Sequence, residues 1–167
     1  IHNNYNKTYT PEHILGFIYA ILHSATYRKK YVDFLKIDFP RIPFAKEKKI
    51  FEFLSDKGWE LIQAHLMNEI PEYNLGFFIG KGNREVIKPD FINRRLYINK
   101  VQYFDRVPEN VYNFYIGGYQ VLYKYLKDRK GMKLTLEEIE NVENIIKVLA
   151  FTIDQMKIID KATKEWI

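Results

Sequence analysis

The sequence predicts an α+β fold: helices at both ends form a scaffold, with a long helix at the C-terminus, around a small central, mostly antiparallel β insertion. Three observations predict it. Apolar residues recur at steps of three and four from Ile14 to Leu22 and again from Ile139 to Met156, which is the helical period. Between them, Gly76, Gly80, Gly82, Pro89 and Asn93 punctuate short β-rich runs. No internal repeat, low-complexity tract or long linker divides the 167 residues, so a single domain over residues 1–167 is expected.

Thr10-Pro11-Glu12 supplies a cap, a proline at the first helical position and an acid in the first turn, so the first helix is expected from Pro11 to His23. Ser24 can cap a second helix, TYRKKYVDFLKI, with Tyr27, Tyr31, Phe34 and Leu35 on one face and Arg28, Lys29 and Lys30 on another. Asp38-Phe39-Pro40 ends it. Two prolines three apart hold the segment FPRIPF extended, as a shaped connector. From Ala45 to about Glu69 the positions Ile50, Leu54, Leu61, Ile62 and Leu66 predict one long helix, with Gly58 either a break or a point of close packing.

After Pro71 the runs EVIKPDF and RRLYINKVQYF read as strands, the second alternating through Leu96, Ile98 and Val101. VYNFYIGG reads as one more strand ending in a Gly-Gly turn, and YQVLYKYLKDRKG as a short amphipathic helix closed by Gly131. Thr135-Leu136-Glu137-Glu138 is a capping box. It opens a helix whose Ile139, Val142, Ile146, Leu149, Ile153 and Met156 form a seam that calls for a partner.

Composition narrows the chemistry. Hydrophobic residues at 47 % and charged residues at 28 % are ordinary for a globular domain, and exclude disorder and collagen-like repeats. Lys and Arg total 26 against 21 Asp and Glu, and 16 % of residues are aromatic. Cations with rings suit a nucleic-acid surface, although rings also fill cores. There is no cysteine, hence no disulfide, thiolate zinc site or thiol nucleophile, and cytoplasm is the default expectation. No apolar run approaches the ~18 residues of a membrane span. The chain starts at Ile1 and stops at Trp166-Ile167 on an expected helix, which reads as a piece of a longer protein.

Catalytic signatures are missing: no dinucleotide fingerprint, Walker lysine loop, Gly-x-Ser-x-Gly elbow, His-Glu-x-x-His pair, or Asn/Asp-Pro-Pro-Tyr/Phe run. Pro89-Asp90 resembles half of a metal-dependent nuclease site, but no Glu-x-Lys follows it. His2, His13, His23 and His65 are scattered, so structural or surface roles are expected of them rather than metal binding. Gly80-Lys81-Gly82-Asn83-Arg84 is either a phosphate-receiving loop or a plain hairpin turn. From Lys81 to Arg106 seven basic residues, Lys81, Arg84, Lys88, Arg94, Arg95, Lys100 and Arg106, face three acids. Lys124, Lys127, Arg129, Lys130 and Lys133 form a second cluster relieved only by Asp128, and Arg28, Lys29 and Lys30 a third. Each alone is most simply a solvated face; three on one small chain favour a polyanionic partner.

Three segments taken together resemble the C-terminal specificity region of type ISP restriction-modification enzymes: TPEHILGFIYAILHSATYRKKYVDFLKIDFPRIPF, LYINKVQYFDRVPENVYNFYIGGYQVLYKYLKDRKG and LTLEEIENVENIIKVLAFTIDQMKIID. Such enzymes combine nuclease, helicase-like ATPase, N6-adenine methyltransferase and target-recognition parts in one polypeptide. The resemblance implies the later part of a DNA target-recognition domain, non-catalytic by itself, with double-stranded DNA and the methyltransferase and upstream specificity parts as partners. It implies no cofactor in this fragment, with S-adenosylmethionine, Mg2+ and ATP taken by other domains. On this reading Arg94 and Arg95 are groove or phosphate contacts, and Lys81, Arg84, Lys100, Lys124, Lys127, Arg129 and Lys130 are backbone contacts. Arg41, fixed between two prolines, is either a contact or a tie to a helix carboxylate. Gln102 and Gln120 are candidate adenine readers, though a strand-surface glutamine is more often idle. Tyr103 and Tyr119 are expected to pack rather than stack on bases, and Gly117-Gly118 to form a tight turn permitting close approach. The rival is a helical docking module in which Ile146, Leu149 and Ile153 meet a partner protein.

Overall fold

A computed structural model describes residues 8–167. Helices and antiparallel strands occur in the expected α+β arrangement. The chain divides into two compact units. One holds the described residues up to Glu69 together with Thr152–Ile167, and the other holds Ile70–Phe151.

In the first unit, α1 (Pro11–His23) starts at its proline as the sequence predicts. Helix α4 (Lys48–His65) is unbroken at Gly58, which marks a crossing with α1. A Cβ on Gly58 would stand 1.7 Å from the Gly16 carbonyl oxygen, and one on Gly16 2.2 Å from that of Ser55, so the two backbones touch where side chains are missing. Phe17, Ala20 and Ile21 on α1 meet a core that includes Phe51, Leu54 and Leu61 on α4, with the Phe17 and Phe51 rings 4.9 Å apart. Helix α4 is shorter than expected. Met67 takes φ +58, and the amides of Met67 and Asn68 donate back to the carbonyls of Ala64 and Gln63, a Schellman closure with methionine where glycine is usual.

Ser24 caps α2 (Ala25–Lys30) by accepting from the Tyr27 amide, as its position predicts. The expected continuous second helix instead splits at Tyr31, and α3 (Phe34–Ile37) is a single turn. Its apolar side chains explain the difference: Phe34 and Ile37 are exposed, so no tertiary packing sustains a longer helix there. The connector Phe39–Phe44 is free of helix and strand, and the Tyr27 hydroxyl donates to the Arg41 carbonyl at 3.0 Å.

The second unit carries a four-stranded antiparallel sheet in the order β1-β4-β3-β2, built from β1 (Phe77–Ile79), β2 (Asp90–Ile92), β3 (Arg95–Tyr97) and β4 (Tyr103–Asp105). The run RRLYINKVQYF is therefore two strands rather than one. Asn99 causes the reversal, because its side-chain oxygen accepts from the amides of Val101 and Gln102 while the Ile98 amide donates to the Gln102 carbonyl. Leu96 and Ile98 are buried as their alternation predicts, and Val101, on the turn, is exposed.

VYNFYIGG also departs from a single strand. Pro108 starts the helical turn α5 (Glu109–Tyr112), and β5 (Tyr115–Ile116) pairs with β6 (Tyr119–Gln120) around Gly117-Gly118. Helix α6 (Val121–Lys127) follows, with Leu122 and Leu126 buried. The capping box forms as predicted: Glu138 donates its amide to the Thr135 hydroxyl, and the Thr135 amide donates to the Glu138 carboxylate. Helix α7 (Leu136–Thr163) then runs for 28 residues. Its seam finds its partner within this chain. Ile139, Val142, Ile146 and Leu149 are buried, and Ile146 packs on Gly76, where an added Cβ would sit 3.1 Å from its methyl carbons. The Phe78 amide donates to Glu143 at 2.8 Å, tying β1 to the same helix.

Candidate nucleic-acid interface

Eleven of the twelve cationic and glutamine candidates, all but Arg41, lie in the second unit. Backbone hydrogen bonds draw the two main basic stretches together there. The Val86 amide donates to the Met132 carbonyl, the Gly131 amide to that of Val86, and the Leu134 amide to that of Arg84. This short ladder places the Gly80–Arg84 loop beside the segment that follows α6 and carries Lys130 and Lys133.

The glycines of that loop serve an internal purpose. Gly80, at φ +108, lies so close to Val101 that a Cβ would meet its carbonyl oxygen at 2.1 Å, and a Cβ on Gly82 would meet Gln102 Oε1 at 2.7 Å. Gln102 is buried, and its Oε1 accepts from the Arg84 amide at 2.8 Å and from Asn99 Nδ2 at 3.1 Å. Its Nε2 points to the Gly80 carbonyl at 3.4 Å. Both ends of this buried amide are thus occupied within the chain, and in this arrangement Gln102 braces the loop with no free edge turned to a base. The Arg84 amide, spent on Gln102, is likewise withdrawn from any phosphate.

Arg129 is also engaged within the chain. Its Nε donates to Glu138 at 2.9 Å, its Nη1 donates to the Tyr125 carbonyl, and its guanidinium lies 3.6 Å from the Tyr125 ring centroid. The Thr135 amide and this guanidinium hold the Glu138 carboxyl below the usual range. Arg129 is a tether between α6 and the start of α7. Arg95 is partly committed: Nε donates to Asp105 at 3.0 Å and the guanidinium sits over Tyr103. Hydrogen bonds with Tyr97 and then Asp105 favour its charged form. Lys124 pairs with Asp128, the residue that caps the end of α6. Arg41 pairs loosely at 3.7 Å with Asp38, which follows α3, and its side chain is exposed. Gln120 Nε2 donates to the Tyr112 carbonyl at 2.7 Å.

Among the described residues, Lys81, Arg84, Arg94, Lys100, Lys127 and Lys130 have no carboxylate partner. Arg94 stands out. Asn93 and Arg94 form the two-residue tip of the β2–β3 hairpin at φ +51 and +61, and Arg94 occupies the second place, where glycine is the favoured residue. Arg84 and Arg106 also take φ of +64 and +56, so three arginines of this unit adopt a backbone shape that disfavours any side chain with a Cβ. Sequence reasoning missed this because a left-handed arginine has no composition signal. It also expected packing of Tyr119, whereas Tyr115, Ile116 and Tyr119 stand exposed around Gly117-Gly118, with Lys124 over the Tyr119 ring. Tyr103, by contrast, packs between Tyr97 and Arg95.

His23 and His65 have the structural roles expected. His65 Nδ1 hydrogen-bonds the Tyr19 hydroxyl at 2.6 Å and its Nε2 the Thr152 hydroxyl at 2.8 Å, while His23 bonds the Tyr19 carbonyl. His2 lies outside the described residues. No group of three potential metal ligands occurs among the described residues, and no helix there is long and apolar enough to cross a membrane.

The family model of the type ISP C-terminal specificity domain matches residues 1–160. The chain belongs to that family. Solved structures similar to this specificity domain include the cryoEM structure of a DrdV–DNA complex, with a TM-score of 0.72 and 19 % identity over 96 % of this chain. A nuclease-deletion mutant of the type ISP restriction-modification enzyme LlaGI, in complex with a DNA substrate mimic, gives 0.68 and 22 % over 89 % of this chain. The ATP-dependent type ISP enzyme LlaBIII bound to DNA gives 0.66 and 20 % over 92 %. The specificity domain spans only 19 %, 16 % and 11 % of those chains, respectively. No curated protein matches it.

Proposed function

We propose that this specificity domain recognises a double-stranded DNA sequence on behalf of a larger restriction-modification polypeptide, and that it is non-catalytic by itself. Membership of the specificity-domain family carries the reading. The three fold relatives are DNA complexes, and the second unit offers cations without carboxylate partners. The parent is an N6-adenine methyltransferase with nuclease activity, acting in the bacterial or phage-borne cytoplasmic setting of restriction systems. S-adenosylmethionine, Mg2+ and ATP bind its other parts. Retention of a randomised duplex pool at low and near-physiological salt tests recognition. An enriched motif with salt-dependent retention is expected, and no retention at low salt refutes it. Calorimetry with S-adenosylmethionine tests the cofactor assignment, for which no heat of binding is expected.

Docking through the α7 seam loses support, because Ile146 and Leu149 are already buried within the chain. A different surface favours docking alongside DNA recognition. Phe34, Ile37 and Phe39 are exposed by 67, 82 and 90 %, and an exposed apolar cluster of this kind suits burial against the methyltransferase or upstream specificity parts. Replacing all three with serine should leave the fold intact and weaken association with those parts in a pull-down.

A further inference from the structure

The β5–β6 hairpin is built as a probe. The Phe114 carbonyl accepts from the Val121 amide at its base, Tyr115 pairs with Gln120 and Ile116 with Tyr119, and a Gly117-Gly118 tip at φ +55 and +85 closes it. A Cβ at either glycine would meet nothing within 4 Å, and Tyr115, Ile116 and Tyr119 are each about 60 % exposed. The base, in contrast, is fixed. Gln120 holds the Tyr112 carbonyl, and the Tyr112 ring stacks on Phe91 of the sheet with centroids 4.2 Å apart and planes 8° from parallel. Cations line the following helix: Lys124 lies 5.7 Å from the Tyr119 ring and Lys127 5.7 Å from the Tyr123 ring.

We infer that this hairpin enters the major groove of duplex DNA, with Ile116 and Tyr119 against base edges and Lys127, joined by Lys124 as it exchanges Asp128 for phosphate, on the flanking phosphates. The assignment rests on the DNA-recognition reading above. Width chooses the groove. Two paired backbones are ~4.8 Å apart before side chains are counted, which nearly fills a minor groove of ~6 Å, whereas a major groove of ~12 Å admits a two-stranded ribbon. Reach agrees, since three residues from Phe114 to Gly117 extend ~10 Å at ~3.3 Å each, against a groove depth of ~8.5 Å. The glycine tip lets backbone approach the base edges. Apolar Ile116 and Tyr119, paired across the strands on one face, suit thymine methyl groups, and the cations beside them distinguish this surface from an apolar protein-docking face.

The test uses the whole chain and a duplex motif selected by the wild type from a randomised pool. Replacing Ile116 and Tyr119 with serine together should lower affinity about tenfold or more at unchanged salt slope, because neither side chain neutralises a phosphate. Methylation of guanine N7 in the motif should interfere with wild-type binding, and interference at the positions under the hairpin should vanish in the double variant. Gly117→Asn keeps a favourable Asn-Gly turn and should alter the selected motif without lowering the melting temperature. Unchanged affinity and motif in both variants, or interference confined to adenine N3 in the minor groove, overturns the assignment while DNA recognition stands. A wild type that retains no duplex overturns both.

Discussion

Arg94→Gly separates recognition from folding. Arg94 sits at φ +61 in the second position of a two-residue hairpin tip, after Asn93. Holding an L-residue in the left-handed region costs about 1–2 kcal/mol, and glycine escapes most of that. Glycine also loosens the unfolded chain, which takes back about 0.4–1 kcal/mol. The Arg94 carbonyl, which accepts from the Val107 amide at 2.8 Å, is backbone and survives the change. The net expectation is a gain of about 0.5–1 kcal/mol, which for a chain of this length raises Tm by about 1–4 °C. Binding should move the other way. If the side chain grips a phosphate, the variant loses affinity and its log–log salt slope becomes shallower by about 0.9; if it bonds a base edge, about 1–3 kcal/mol of discrimination disappears. Differential scanning calorimetry and salt-series binding on one preparation read both. A lower Tm would show that the arginine side chain supports the fold, and an unchanged affinity would remove Arg94 from the interface. Either result refutes the reasoning.

Gly58→Ala should destabilise the first unit by about 3 kcal/mol or more, since its Cβ would meet backbone at 1.7 Å, and a helix melt by circular dichroism shows it. Gln102→Ala strands the Arg84 amide and Asn99 Nδ2 and should cost about 2–3 kcal/mol in urea denaturation, with DNA affinity falling only as far as folding does. Burial first, and the neighbouring His23 second, push the pKa of His65 down to about 4, so between the unfolded value near 6.5 and that figure the unfolded chain binds a proton that the native chain refuses. Stability should therefore decline as pH falls through this window, and an unchanged urea midpoint between pH 7 and pH 5 would contradict it. His65→Gln should flatten that decline.

The features legible in the sequence were those whose causes lie within a few residues. Pro11, the Ser24 cap, the Thr135–Glu138 box and the seam of α7 act locally, and each appears where it was expected. Asn99 hid a hairpin inside an apparent strand, because INKVQ alternates well enough to conceal a side chain that makes its own turn. The bracing role of Gln102 is hidden for a related reason, since its partners Gly80 and Arg84 lie about twenty residues upstream, beyond any periodic window. Among the cations, sequence could count charges but not carboxylates. In sequence Arg129 reads as available as Lys130, and only the fold sets Glu138 beside it.

The path of the Gly80–Arg84 loop is dictated by Gln102 and two glycines from inside and by Asn83, whose Oδ1 accepts from the Glu85 amide, and not by the exposed side chain of Lys81. Mutation at Lys81 can change what the loop presents to solvent while the backbone that presents it stays put.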